Sequence, residues 1–200
     1  MTSASEQRSE CWRDCHGAPT RVFPADEDGV AVEAYELDFS TDPNAEDRGF
    51  VLVTNGMSDR RMHLDDDAEE GVASGEVKPR AELVWYVREL DEDYVALLRW
   101  LAEFPFIDET WLGFGHTIPM PEPILPDTAL TTFLFLTPII GRHAELELAV
   151  DGEPVELLVV HLLTDAEYAL KREHGTDAIL TLFDDHAYPL VLDPSRDSMV

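Results

Sequence analysis

His116 is the residue of this sequence best placed for acid–base chemistry. It sits in Thr110-Trp-Leu-Gly-Phe-Gly-His-Thr-Ile-Pro119, a run that sets two aromatics and an imidazole among glycines. Glycines at 113 and 115 permit backbone conformations that a Cβ would forbid, and an imidazole can take or give a proton near neutral pH. Such catalysis needs a second titratable group within hydrogen-bond reach. The sequence names none, so the simpler role is a hydrogen-bonded structural histidine. Trp111 and Phe114 are large enough to anchor the turn in a core. The pair Cys11-x-x-x-Cys15-His16 invites a metal reading. Structural zinc takes four spaced ligands and no second pair lies nearby, so two helical neighbours are the plainer reading. The run Asp65-Asp-Asp-Ala-Glu-Glu70 lacks the spacing of a calcium loop and reads as solvated acid. His161, inside an apolar strand, reads as a satisfied core or edge histidine, while His63, His143, His174 and His186 carry no assignment. There is no His-Glu-x-x-His, P-loop or Gly-x-Ser-x-Gly pattern, and Gly113-Phe-Gly115 lacks the third glycine of a dinucleotide loop. No catalytic residue, metal or cofactor is expected.

An α+β domain must hold these residues. Residues 30–39 alternate as a first strand before a Thr41-Asp-Pro-Asn44 loop, and Phe50-Val-Leu-Val-Thr54 is a second strand that stops at the sharp Asn55-Gly56 corner. Arg80–Leu90 reads as a central strand because both its faces are partly apolar. Asp91-Glu-Asp93 then caps a helix whose stripe is Tyr94, Leu97, Leu98, Leu101 and Phe104, ended by Pro105. The prolines from 119 to 126 make an irregular surface connection. Leu130–Pro138 is a dense apolar run, and residues 145–163 form a hairpin turning at Asp151-Gly152. Thr164-Asp-Ala-Glu167 is a capping box opening a helix that Gly175 stops. A short helix over Asp177–Phe183, a closing strand over Tyr188–Leu192 and a polar tail complete the chain. The expected organisation is a loosely ordered arm over 1–27, which alternatively forms a short helix around Cys11, Trp12 and Cys15, a domain over 28–192 and a tail over 193–200.

Composition limits the partners. With 42 acids against 14 bases the formal charge is −28, which repels phosphate backbones and anionic membranes. Residues 1–80 carry 19 acids and 8 bases and residues 81–200 carry 23 and 6, so the acidity is general and not one focused patch. Only Lys78 and Lys171 stand against twelve arginines. Even acidity with scarce lysine resembles adaptation of a whole surface to salt. A polar N-terminus and the lack of any run of about 18 apolar residues lead to the expectation of a cytoplasmic protein.

Four pieces together resemble the suppressor of fused family: Val53-Thr-Asn-Gly-Met-Ser58, Arg80-Ala-Glu-Leu83, Thr110-Trp-Leu-Gly-Phe-Gly-His-Thr-Ile118 and Leu162-Leu-Thr-Asp-Ala-Glu167. Order and spacing match over about residues 28–190. The resemblance implies a mixed, mainly antiparallel sheet with flanking helices. Animal members add a further domain, for which 200 residues leave no room, and sequester a transcription-factor peptide as an added strand. Bacterial relatives imply immunity proteins against secreted toxins. The function so implied is a non-enzymatic protein-binding domain that neutralises a toxin, with acidity favouring a basic partner. Asn55, Gly56, Met57, Ser58, Trp111 and His116 are its candidate binding residues. The alternative is a small hydrolase or metal-dependent enzyme using His116 with nearby carboxylates, and it requires those groups to converge in one pocket. A regulatory adaptor is a third reading.

Overall fold

The computed structural model describes residues 3–25, 29–40, 46–139 and 141–200. Among them one sheet is formed by β1 (Arg21–Phe23), β2 (Ala31–Asp38), β3 (Arg48–Asn55), β4 (Arg80–Val87), β5 (Thr117–Pro119), β6 (Leu130–Leu136), β7 (Leu148–Val150) and β8 (Glu153–Thr164). The strands run in the order β1-β2-β3-β4-β8-β6-β5, and β7 also pairs with β8. β4 and β8 are parallel and the other pairs are antiparallel, as the α+β reading required. Every residue of β4 is buried, which explains why its sequence is apolar on both faces. Asp151 and Gly152 both have positive φ, 54° and 81°, the shape that suits a two-residue hairpin and sets Val150 opposite Glu153.

Period-two alternation divides the core between the two faces of the sheet. Val32, Ala34, Leu52, Leu83, Trp85, Leu158 and Val160 point to one side, where α3 (Glu92–Ile107) covers them with Leu98 and Leu101. Tyr35, Val51, Val53, Val84 and Tyr86 point to the other and meet Trp12 of α1 (Ala4–His16). Further along this second face Leu134, Leu136 and Leu163 pack on Ile179 and Phe183 of α5 (Thr176–Asp185), which follows α4 (Asp165–His174). Three layers result, and helices cover the second face at its two ends. Local signals fix the helix starts: Asp91 accepts from the Asp93 amide at 2.9 Å, and both bonds of the Thr164–Glu167 capping box are present.

Several elements differ from their sequence reading. Of the two readings of the N-terminal residues, the structure takes the helix around Cys11, Trp12 and Cys15 and not the loose arm: α1 starts at a Ser3–Glu6 capping box and docks through Trp12 and Arg8, which are 1% and 2% exposed. These two stand one turn apart on an otherwise polar helix, and their partners are supplied by strands far along the chain. The acidic run is α2 (Asp66–Ser74), whose N-cap Asp65 accepts from the Ala68 amide at 2.8 Å. Acids there meet the positive end of the helix dipole. Pro105 lies inside α3, which continues to Ile107, and Phe114 is 47% exposed instead of buried. The turn expected at Gly141–His143 is a 3-10 segment that runs on to Glu145, and over 144–147 the expected strand is missing, leaving only β7 paired. Tyr188–Leu192 forms no strand. The Leu192 amide donates to the Tyr86 carbonyl at 2.9 Å, beyond the point where β4 and β8 stop pairing at Val84 and Val159. The Thr41–Asn44 loop lies outside the described residues.

Candidate functional site

The Asn55–Ser58 corner ends β3 and turns into a short 3-10 segment, Met57–Asp59. Met57 and Ser58 are fully buried and Asn55 is 6% exposed, so these residues present little surface to a partner. Instead they join a buried polar network. Asn55 Oδ1 accepts from Arg8 Nε at 2.8 Å, and its amide nitrogen reaches Ser9 Oγ at 2.8 Å and Glu33 Oε1 at 2.9 Å. Ser9 and the Tyr35 phenol both donate to the Glu33 carboxylate. Glu82 accepts from the amides of Gly56 and Ser58 at 3.1 and 3.0 Å and from the hydroxyls of Ser58 and Thr54 at 2.6 Å. Arg8 also reaches Ser58 Oγ at 3.0 Å, Asp59 at 2.8 Å and Glu82 at 3.3 Å. Burial pushes the Glu82 carboxyl up, against Arg8 and the Ser58 and Thr54 donors that favour its ionised form. This arrangement clamps α1 to the sheet.

Trp111 and His116 belong to a different place, the turn that carries the chain from α3 around the edge of the sheet into β5. A Cβ on Gly115 would lie 2.7 Å from Thr176 Oγ1 at the start of α5, and its φ is +78°, so this position admits only glycine without strain. Leu112 supplies the buried anchor, with its amide 3.4 Å from Met62 Sδ. The His116 ring lies 4.2 Å from the Trp111 ring, and its Nδ1 is 3.3 Å from the Trp111 carbonyl. Burial lowers its pKa, and no carboxylate lies within hydrogen-bond reach of it among the described residues. An open hollow of about 630 Å³ is lined by Phe104, Trp111, His116 and Lys171. No described group of three His, Cys, Asp or Glu side chains is placed to hold a metal ion. The acid–base set that a hydrolase requires is not assembled here.

Comparison with known proteins gives the family and the fold. The profile described as Suppressor of fused protein (SUFU) matches residues 31–197, most of the chain. The chain belongs to the suppressor of fused family. No curated protein sequence matches it. Among solved structures, a chain of the Sufu-Fu complex superposes with TM-score 0.74 at 15% identity, over 99% of this chain and 93% of that one. A suppressor of fused homolog from Neisseria gonorrhoeae gives TM-score 0.64 at 17% identity, over 98% and 94%. Drosophila Suppressor of Fused gives 0.67 at 15%, over 98% of this chain and 50% of that one. Identities this low show a shared fold.

Within this suppressor of fused domain, three groups escaped the sequence reading. Glu33 and Glu82 interrupt the apolar strands β2 and β4, a signal visible in the sequence, but Ser9, which donates to Glu33, and Arg8, which faces Glu82, lie far away along the chain in α1. His143 is 4% exposed and stacks on Tyr86, its Nδ1 2.7 Å from the phenol and its Nε2 2.5 Å from His16 Nε2. Burial, then His16, lower its pKa to about 4. His161 is buried as expected but has no hydrogen-bond partner among the described residues, so it is not the satisfied histidine its strand suggested.

Proposed function

We propose that this chain is a non-enzymatic protein-binding domain that acts as an immunity protein, neutralising a basic toxin in the cytoplasm. The observation that carries the reading is family membership over residues 31–197 together with a fold shared with a chain of the Sufu-Fu complex, a protein–protein assembly. Charge supports it. A domain of net charge −28 draws in a basic partner and raises the association rate, while repelling nucleic acid. In this reading Trp111 and His116 border the binding face beside their open hollow, and Asn55, Gly56, Met57 and Ser58 act from beneath by fixing α1.

Affinity capture from the native host tests the proposal. Tagged protein is expected to retain one basic protein at low salt and release it as salt rises, and co-expression is expected to restore growth to cells making that protein. A chain that stays solitary, with no toxin gene beside its own, counts against the proposal.

A further inference from the structure

Between the α1 end and the α5 end of the second face the helices leave a gap. A cavity of about 310 Å³ occupies it, walled by Leu136, Val159, Phe183 and Leu190. His161 lines this cavity and is only 8% exposed, with its ring 5.4 Å from that of Tyr188 and 6.1 Å from that of Phe183. Neither ring nitrogen has a hydrogen-bond partner among the described residues. The His161 nitrogens open onto the hollow, where a group entering from outside finds a donor and an acceptor not taken up by the described residues. Burial, then Arg196, keep the imidazole neutral down to about pH 4, so it offers one donor and one acceptor and no charge.

The rim says what kind of ligand enters. Phe114 and Ile139, 47% and 83% exposed, both stand on it and extend the apolar surface beyond the cavity. A small molecule buried in the cavity would leave them bare, whereas a protein surface would cover them. Asp184 is at the same mouth, with no ion-pair partner among the described residues, and the surrounding charge repels anions. Apolar walls with one hydrogen-bonding group match an aromatic ring with a polar tip, the side chain that anchors many interfaces.

We infer that this cavity is an anchor pocket that takes one tyrosine or tryptophan side chain from a basic segment of a partner protein, with the polar tip bonded to His161. The inference rests on the protein-binding reading above and gives it a site.

Short peptides test it directly at low ionic strength, with binding followed by NMR of the histidine side chains. One peptide carries tyrosine between lysines. Others replace the tyrosine by phenylalanine or alanine, or the lysines by glutamates. The tyrosine–lysine peptide is expected to shift the His161 signals and to bind about tenfold more tightly than each of the others. Ile139→Ser, an exposed change that leaves the melting temperature unmoved, is expected to weaken it, and His161→Phe to erase the preference for tyrosine over phenylalanine. No binding, equal binding of the tyrosine and alanine peptides, or indifference to Ile139→Ser overturns the pocket. Failure of the wider reading shows separately, as a wild-type chain that retains no partner. A partner held equally by wild type and Ile139→Ser sinks the pocket alone.

Discussion

Arg8 shows how much one side chain can carry in this molecule. It is the cation facing Glu82 and Asp59, and removing it leaves the Glu82 carboxylate buried without its counter-charge. Arg8→Ala is therefore expected to lower stability by about 3–5 kcal/mol, read from urea unfolding. A loss below about 1 kcal/mol would place Glu82 in its neutral form, for which Arg8 matters little. The buried histidines act through pH. His143 and His161 have folded pKa values of about 4 against an ordinary 6.5, so the unfolded chain takes up protons first as pH falls. Their stabilising contribution is complete above pH 6.5 and is lost between 6.5 and 4, on the order of 3 kcal/mol for each. Unfolding curves across that window should steepen their pH dependence in wild type and flatten by about half in His143→Phe or His161→Phe. A slope unchanged in both variants would contradict the assignment.

Elements depend on contacts that span the chain. The capping-box glutamate of α4 does a second job: Glu167 accepts Arg196 at 2.6 Å through both oxygens, and Arg196 also donates to the Leu162 carbonyl at 2.7 Å. Burial alone would raise the Glu167 pKa, but the bonds from Arg196 and the Thr164 amide outweigh it and hold it low. A depressed carboxylate stabilises above its unfolded pKa and loses that contribution as pH falls through its folded value. Arg196→Gln is expected to release the tail and cost about 3 kcal/mol, with protease cleavage appearing first after residue 190. Unchanged cleavage kinetics would show that the tail is held elsewhere. The glycine turn gives a second test. Both positions have positive φ, so alanine strains the backbone at each; at Gly115 its Cβ also meets Thr176 whereas at Gly152 it meets open space, so Gly115→Ala should cost about 1 kcal/mol more than Gly152→Ala.

At the scale of the whole molecule, electrostatic self-repulsion dominates the response to solvent. A net charge of −28 on 200 residues, spread along the whole chain, opposes compaction, and salt screens that repulsion within about 8 Å at physiological ionic strength. The melting temperature is expected to rise by several degrees, about 5 °C or more, between 0.05 and 1 M potassium chloride. A flat profile would mean that the acids are locally compensated. Arrangement of the layers also matters at this scale. The sheet is covered along one face by α3, while helices cover the other only at its ends and Leu190 and Val191 pack between them, leaving the His161 cavity open to the outside.

Local signals alone determined much of this. The stripe of α3, the Thr164 capping box, the Asp151-Gly152 hairpin and the two-sided burial of β4 are all legible because each depends on periodicity or on backbone preferences within a few residues. The family motifs were legible for the same reason. Tertiary structure decided what required distant partners. Trp12 and Arg8 make α1 part of the core only because β2, β3 and β4 bring Tyr35, Asn55 and Glu82 beneath it. Asn55–Ser58 proved closed and His161 unsatisfied for the same physical reason: burial and hydrogen bonding depend on which strands become neighbours, and no spacing along the chain records that.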